Sequence, residues 1–240
     1  MMKRISVFII FFCSQLCFSG EIENRIIKEL QLKLPNYSFD SVKKSSIPNL
    51  YQVTTGASIF YVTKDVKFIF DGNILESKFD KNKNHFFVNH TEIAANKARS
   101  ALLNKIDESK LFIYGANNNK HVITVITDID CPWCVKFHNE IKYYVSEKIK
   151  IRYVVHVRND EAMKKVISAW CSSDRNKSFS SLKQGKKIKT LECENPINEH
   201  KDMINLIGVG PTPAIFLQNG EAISGYKPYD EILAILREKN

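Results

Sequence analysis

The stretch HVITVITDIDCPWCVKF, residues 121–137, constrains this chain more than any other. His121 to Thr127 is a near-continuous β-branched run, as in a strand covered on both faces. It leads into two cysteines three positions apart, and helix-compatible sequence follows them. Lys150 to Val157 (KIRYVVHV) carries a second buried-strand signature. Strand, helix, strand implies a right-handed βαβ unit, with the cysteines where the first strand hands over to the helix.

What such a pair does depends on its compartment. The chain opens MMKRISVFIIFFCSQLCFSG. Lys3 and Arg4 form a basic start, and Ile5 to Phe12 is apolar but too short to span a bilayer. Cys17 and Ser19 supply small residues at −3 and −1 of a cut before Gly20, so residues 1–19 read as a secretory signal peptide. A buried N-terminal helix is the weaker reading, because Glu21 begins a different, charged pattern. Leu16 before Cys17 is too large for lipoprotein processing. No later stretch is long and apolar enough to cross a membrane, so a soluble, exported mature chain is expected.

Cys13 and Cys17 leave with the signal, and Cys131, Cys134, Cys171 and Cys193 remain. An even count in an oxidising compartment favours disulfide chemistry. Four cysteines allow three pairings. The formal charge of +9 falls by two on loss of the signal. The lysines are scattered apart from a knot at Lys183, Lys186, Lys187 and Lys189. That pattern reads as a solvated face rather than a nucleic-acid or lipid surface.

Glu21 to Leu34 has apolar residues at helical spacing, and Pro35 ends it. Short alternating strands follow at Leu50–Thr54, Ser58–Thr63 and Lys67–Phe70. A segment of this size buries little core alone and has strand edges that need cover. Pairing with a second copy solves both. Asp80 to Asn84 reads as a boundary. Thr91 can N-cap a helix through about Asp107, and its mixed face suits a connecting helix. Beyond the second buried strand, Glu161–Cys171 is helical and Ser172–Asn195 is polar and irregular. His200–Ile207 is helical. Ala214–Leu217 and Ala222–Ser224 form a hairpin about Asn219-Gly220, and Tyr229–Lys239 closes the chain as a helix.

A cysteine at a helix N-terminus meets backbone N–H groups that stabilise a thiolate. Cys131 holds that position, and Cys134, one turn in, is more enclosed. The first can attack a substrate disulfide and the second can resolve the mixed disulfide. Pro132 fixes φ at the first helical position without costing a hydrogen bond. Trp133 offers an apolar face to a docking chain. A structural bridge is disfavoured, because so tight a loop restricts the unfolded chain little. A metal site could recruit His138, giving C-x2-C-x3-H, but a closed zinc site needs a fourth ligand and no second such motif exists. A lone histidine on a helix is more often a surface or packing residue. Asp128 could assist proton transfer to Cys134 or simply make a strand-end hydrogen bond.

The segment KHVITVITDIDCPWC resembles the active site of the DsbC/DsbG family of bacterial periplasmic disulfide isomerases, on the DsbC side of it. LYQVTTGASIFYVTKDVKFIFDGNILE resembles its N-terminal dimerisation domain, GVGPTPAIFLQNGEAISGYKP its cis-proline loop, and AWCSSDRNKSF…LEC its second cysteine pair. The resemblance implies an α+β protein: a signal peptide (1–19), a cystatin-like dimerisation domain (20–83), a linker helix (84–108) and a thioredoxin-like catalytic domain with a helical insertion (109–240). It implies Cys131 as nucleophile, Cys134 as resolving thiol, Thr212 and cis-Pro213 as the substrate-binding loop, and a structural disulfide between Cys171 and Cys193. It also implies a homodimer in the periplasm acting on misfolded exported proteins. A membrane electron donor of the DsbD type would keep it reduced, with no metal, cofactor or nucleic acid. The chain departs from the family in its active-site dipeptide Pro132-Trp133, a shorter loop after Val157, and Pro211. A dithiol oxidase, or a chaperone or metal-binding module using the same cleft, is the alternative.

Overall fold

The computed structural model describes residues 19–208 and 210–239. The expected signal segment lies, apart from Ser19, outside the described residues. Those residues form two compact units.

In the N-terminal unit, helix α1 (Ser19–Lys33) faces a sheet of β1 (Ser41–Lys44), β2 (Leu50–Thr55), β3 (Ser58–Thr63) and β4 (Ile69–Phe70), in that order. Ile26 and Leu30, one turn apart, are buried among Val42, Tyr51, Val53, Val62 and Val66. Strand β1 is unexpected, since Val42 is its single buried residue and gives no alternation to read. Strand β4 is shorter than the expected Lys67–Phe70 because the preceding turn extends into it. Asp65 accepts the Lys67 N–H, Thr63 Oγ1 accepts the Phe68 N–H, and Val66 sits at φ 53°.

In the larger unit, Asp80–Asn84 forms a hairpin turn. Asp80 accepts the N–H groups of Asn82 and Asn84, both at 2.8 Å, and closes β5 (Leu75–Phe79) onto β6 (His85–Asn89). Helix α2 (His90–Leu103) follows. Its cap is Asn89, which accepts the Glu92 N–H at 3.0 Å, and not Thr91, whose hydroxyl instead accepts the Ile74 N–H. The span 84–108, expected as a linker helix, therefore holds a strand as well as a shorter helix. Nor does α2 stand free. Arg99 donates to the carbonyls of Ile207 and Gly220, Ser100 donates to that of Gln218, and Leu103 is buried beside Ile204, Ile207 and Phe216. Polar side chains make much of this docking, so hydrophobic spacing does not reveal it.

The central sheet runs β11-β10-β8-β9-β7, from β7 (Phe112–Tyr114), β8 (His121–Thr127), β9 (Ile149–Val155), β10 (Ala214–Leu217) and β11 (Ala222–Ser224). Strands β8 and β9 are parallel, and the other pairings are antiparallel. One face carries Ile123, Val125, Tyr153 and Val155 into a core with Phe137, Val166, Phe179 and Ile232. The other carries Ile126 and Val154 toward Leu103, Ile204 and Ile207. Cover on both faces is what the unbroken apolar runs encode. Helices α3 (Pro132–Asn139) and α4 (Ile141–Ser146) join β8 to β9, and α5 (Asp160–Trp170), α6 (Arg175–Lys183) and α7 (Ile197–Ile207) lie between β9 and β10. Helix α8 (Tyr229–Glu238) ends the fold.

Helix α6 falls inside the segment expected to be irregular. Asp174 caps it by accepting the Lys177 N–H at 2.9 Å, and Phe179 and Leu182 anchor it in the core. Cys171 and Cys193 are joined by a disulfide with Cα atoms 5.7 Å apart, closing the loop that contains α6.

Candidate active site

The geometry begins where β8 ends. Asp128 Oδ1 accepts the Asp130 N–H at 2.8 Å, turning the chain so that Cys131 becomes the N-cap of α3 with Pro132 in its first turn. Strand β10 pairs with β8, matching Ala214 to Ile126. That pairing brings the residues just before β10 alongside the cysteines. The Thr212–Pro213 peptide is cis, and the Cys131 thiol donates to the Thr212 carbonyl at 3.4 Å.

The two cysteines carry free thiols but are not equivalent. Cys131 is 6% exposed and Cys134 is 0%. Burial opposes ionisation of Cys131, yet the Cys134 N–H, the Thr212 hydroxyl, the Cys134 thiol and the Trp133 N–H outweigh it and bring its pKa below the ordinary thiol value. At Cys134 burial wins and the pKa rises, although Lys183, the Asp128 N–H and the Thr127 hydroxyl pull against it. The outer sulfur ionises more readily, and the inner one is sealed.

Trp133 is 55% exposed and stacks on Tyr226 with ring centroids 5.6 Å apart. Lys136 Nζ lies 4.6 Å from the Tyr226 ring, and the Tyr226 hydroxyl donates to Glu140 at 2.6 Å. The site therefore has an exposed aromatic flank next to Cys131.

His138 is buried, with Nδ1 engaged by the Tyr153 hydroxyl and Nε2 by that of Ser180. Burial, with a contribution from Lys183, pulls its pKa down to about 3. Both ring nitrogens are thus occupied away from the sulfurs. Among the described residues no group of three or more His, Cys, Asp or Glu side chains could hold a metal ion. The Asp128 carboxylate is buried, pairs with Arg158 and accepts the Asp130 N–H, while its own N–H reaches Cys134 Sγ at 3.4 Å.

Sequence reasoning misses Lys183 and Thr127. The sequence places Lys183 in a solvated basic knot, but it is only 2% exposed. Its signal is its register: Phe179, Leu182 and Lys183 share one face of α6, and the first two are core residues.

Comparison with known proteins bears on this geometry. A family profile described as a thioredoxin-like domain matches residues 110–240, and one described as the disulfide bond isomerase protein N-terminal domain matches residues 18–85. The chain is 33% identical to the thiol:disulfide interchange protein DsbC of Dickeya dadantii, over 98% of this chain and 95% of that protein. This chain belongs to the DsbC family. Another DsbC, from Salmonella typhimurium, is 34% identical over 92% of this chain and 91% of its own length. The α+β fold of a DsbC-type chain, with an N-terminal domain followed by a thioredoxin-like one, is thereby shown. Cys131, Cys134, Thr212 and Pro213 all fall within the thioredoxin-like match. Among solved structures, a disulfide interchange protein from Neisseria gonorrhoeae aligns with a TM-score of 0.49 and 24% identity, covering 55% of this chain and 97% of that one.

Proposed function

We propose that this protein is a thiol:disulfide isomerase and reductase for exported proteins, with Cys131 as the nucleophile and Cys134 as the resolving thiol. The unequal setting of the two sulfurs carries the reading. The Cys131 thiolate attacks one sulfur of a substrate disulfide, forms the mixed disulfide and releases the other sulfur as a thiolate. In isomerisation a substrate thiolate then attacks the substrate sulfur of that bond and expels Cys131. In reduction Cys134 attacks Cys131 Sγ and expels the substrate thiolate. The two sulfurs carry the chemistry, and no cofactor enters.

The Thr212–Pro213 loop offers backbone groups to the bound peptide, and Pro132 and Trp133 shape the flank it meets. Cys171–Cys193 is the structural bridge. A cleaved signal at 1–19 delivers the chain to the periplasm. Residues 20–83 pair two copies, a linker spans 84–108, and 109–240 hold the chemistry. The half-exposed Ile69 and Phe70 on edge strand β4 support the homodimer, since such edges need cover. A membrane donor of the DsbD type returns the two electrons that reduction consumes.

The test is recovery of activity by a scrambled multi-disulfide substrate. Wild type should restore it catalytically, Cys131→Ala should not, and Cys134→Ala should accumulate mixed disulfides. A Cys131→Ala protein that still unscrambles the substrate would sink the assignment. Strict oxidation of reduced substrate, without unscrambling, would make the protein an oxidase.

A further inference from the structure

Lys183 is a charged residue buried deep in the catalytic unit. Its Nζ donates to Thr127 Oγ1 and to the Asp128 carbonyl, each at 2.7 Å. It also lies 5.6 Å from the centre of the Phe179 ring. A lysine ammonium has three protons to give and no lone pair to offer. Oγ1 of Thr127 therefore acts as acceptor toward Lys183, and its single O–H proton must point elsewhere. Thr127 is a hydrogen-bonding partner that favours the ionised form of Cys134, the role left to that proton. The Asp128 N–H reaches the same sulfur at 3.4 Å. Lys183 thus holds both ends of a short frame: the hydroxyl that donates to Cys134 and the carbonyl of the residue whose N–H also donates to it.

We propose that Lys183 is a positioning residue for the resolving step, aiming the Thr127 hydroxyl and the Asp128 N–H at Cys134 Sγ to stabilise the Cys134 thiolate inside the protein. The inference rests on the reading of Cys134 as the resolving thiol. In that step Cys134 loses its proton, its sulfur attacks Cys131 Sγ, the intramolecular disulfide forms, and the substrate sulfur leaves as a thiolate that takes up the proton. A thiol whose burial raises its pKa resolves slowly unless donors and a positive charge wait for the anion. Other charged or titratable groups act on Lys183 or sit beside it: Cys131, Asp130 and Asp128 on the β8–α3 segment, Arg158 through its ion pair with Asp128, and His138 on α3.

The first experiment needs no substrate. In Cys131→Ser protein the ionisation of Cys134 is followed by thiolate absorbance against pH, with and without Lys183→Met. Loss of Lys183 should raise the midpoint by one unit or more, and the isosteric Thr127→Val should move it the same way. Lys183→Arg, which can still donate to Thr127, should recover part of the shift. The second uses an aromatic disulfide whose thiolate is coloured, added to protein with both cysteines. One thiolate is released when Cys131 attacks and a second when Cys134 resolves. The second release should slow about tenfold relative to the first in Lys183→Met. Should Lys183→Met fail to fold, the Cys134 midpoint in Thr127→Val decides between the outcomes. An unshifted Cys134 midpoint in folded variants would overturn the proposal. The titration is independent of whether the wild type exchanges disulfides with proteins, so failure of the functional reading shows separately.

Discussion

The Cys131 thiol meets the carbonyl of Thr212 across 81 residues of chain, at 3.4 Å. The two residues stand at the end of β8 and the start of β10, which are neighbours in the sheet. Sheet pairing, together with the Asp128–Asp130 turn that delivers Cys131 to the start of α3, therefore sets this contact. The Thr212 hydroxyl also helps to hold the Cys131 pKa down.

The reactivity of the two thiols should therefore separate with pH. Cys131 has a lowered pKa and Cys134 a raised one. Alkylation of Cys131 in Cys134→Ser protein should rise through a midpoint below the ordinary thiol value. Thr212→Val should move that midpoint up by a few tenths of a unit to about one unit. A midpoint at or above the ordinary value in the parent protein would contradict the electrostatics of the helix N-terminus.

His138 makes a second pH-dependent contribution, with a different window. Its pKa is lowered to about 3 in the fold, while the unfolded chain titrates near 6.5. Below the latter value the unfolded chain binds the extra proton, so stability is lost as pH falls from about 6.5 toward 3. Comparing denaturant midpoints at pH 7 and pH 4.5 should show wild type losing about 2 kcal/mol more than His138→Gln. Equal losses in the two proteins would mean that His138 is not held neutral.

The bridge between Cys171 and Cys193 spans 22 residues. Closing such a loop contributes about 3 kcal/mol in the chain-entropy model, and Cys171→Ser should cost about 2–5 kcal/mol. In dilute dithiothreitol, mass spectrometry after alkylation should find Cys131 and Cys134 labelled while this pair stays oxidised. Labelling of Cys171 and Cys193 first would reverse the division of roles.

What can be read from the chain is what the backbone dictates locally. The apolar runs at 121–127 and 150–155 are strands because both faces are covered, and Asn219-Gly220 is a hairpin turn with Gly220 at φ 83°. Cys131 is legible for the same reason: strand end and helix start fix its place. Lys183 and Arg99 are not legible, because charged side chains signal exposure until remote carbonyls and hydroxyls are known to receive them. The β5–β6 hairpin escapes notice for another reason. Its turn is built by one aspartate rather than by glycine, and its strands leave Leu75, Phe79, Phe86 and Phe87 exposed, so no alternation between core and solvent marks it.

The docking of α2 bears on how the protein could be shortened. The thioredoxin-like match begins at residue 110, and a fragment cut there would look complete by homology. It would lack Arg99, whose guanidinium serves the Ile207 and Gly220 carbonyls and lies over the Phe216 ring, and Leu103, which is fully buried beneath it. A Cβ at Gly220 would collide with the Asn96 carbonyl oxygen, so the hairpin is shaped to the helix that such a fragment discards. A piece cut at the edge of the thioredoxin-like match thus leaves the Gly220 hairpin without the helix it packs on, and a fragment that keeps this contact has to start upstream of Asn89.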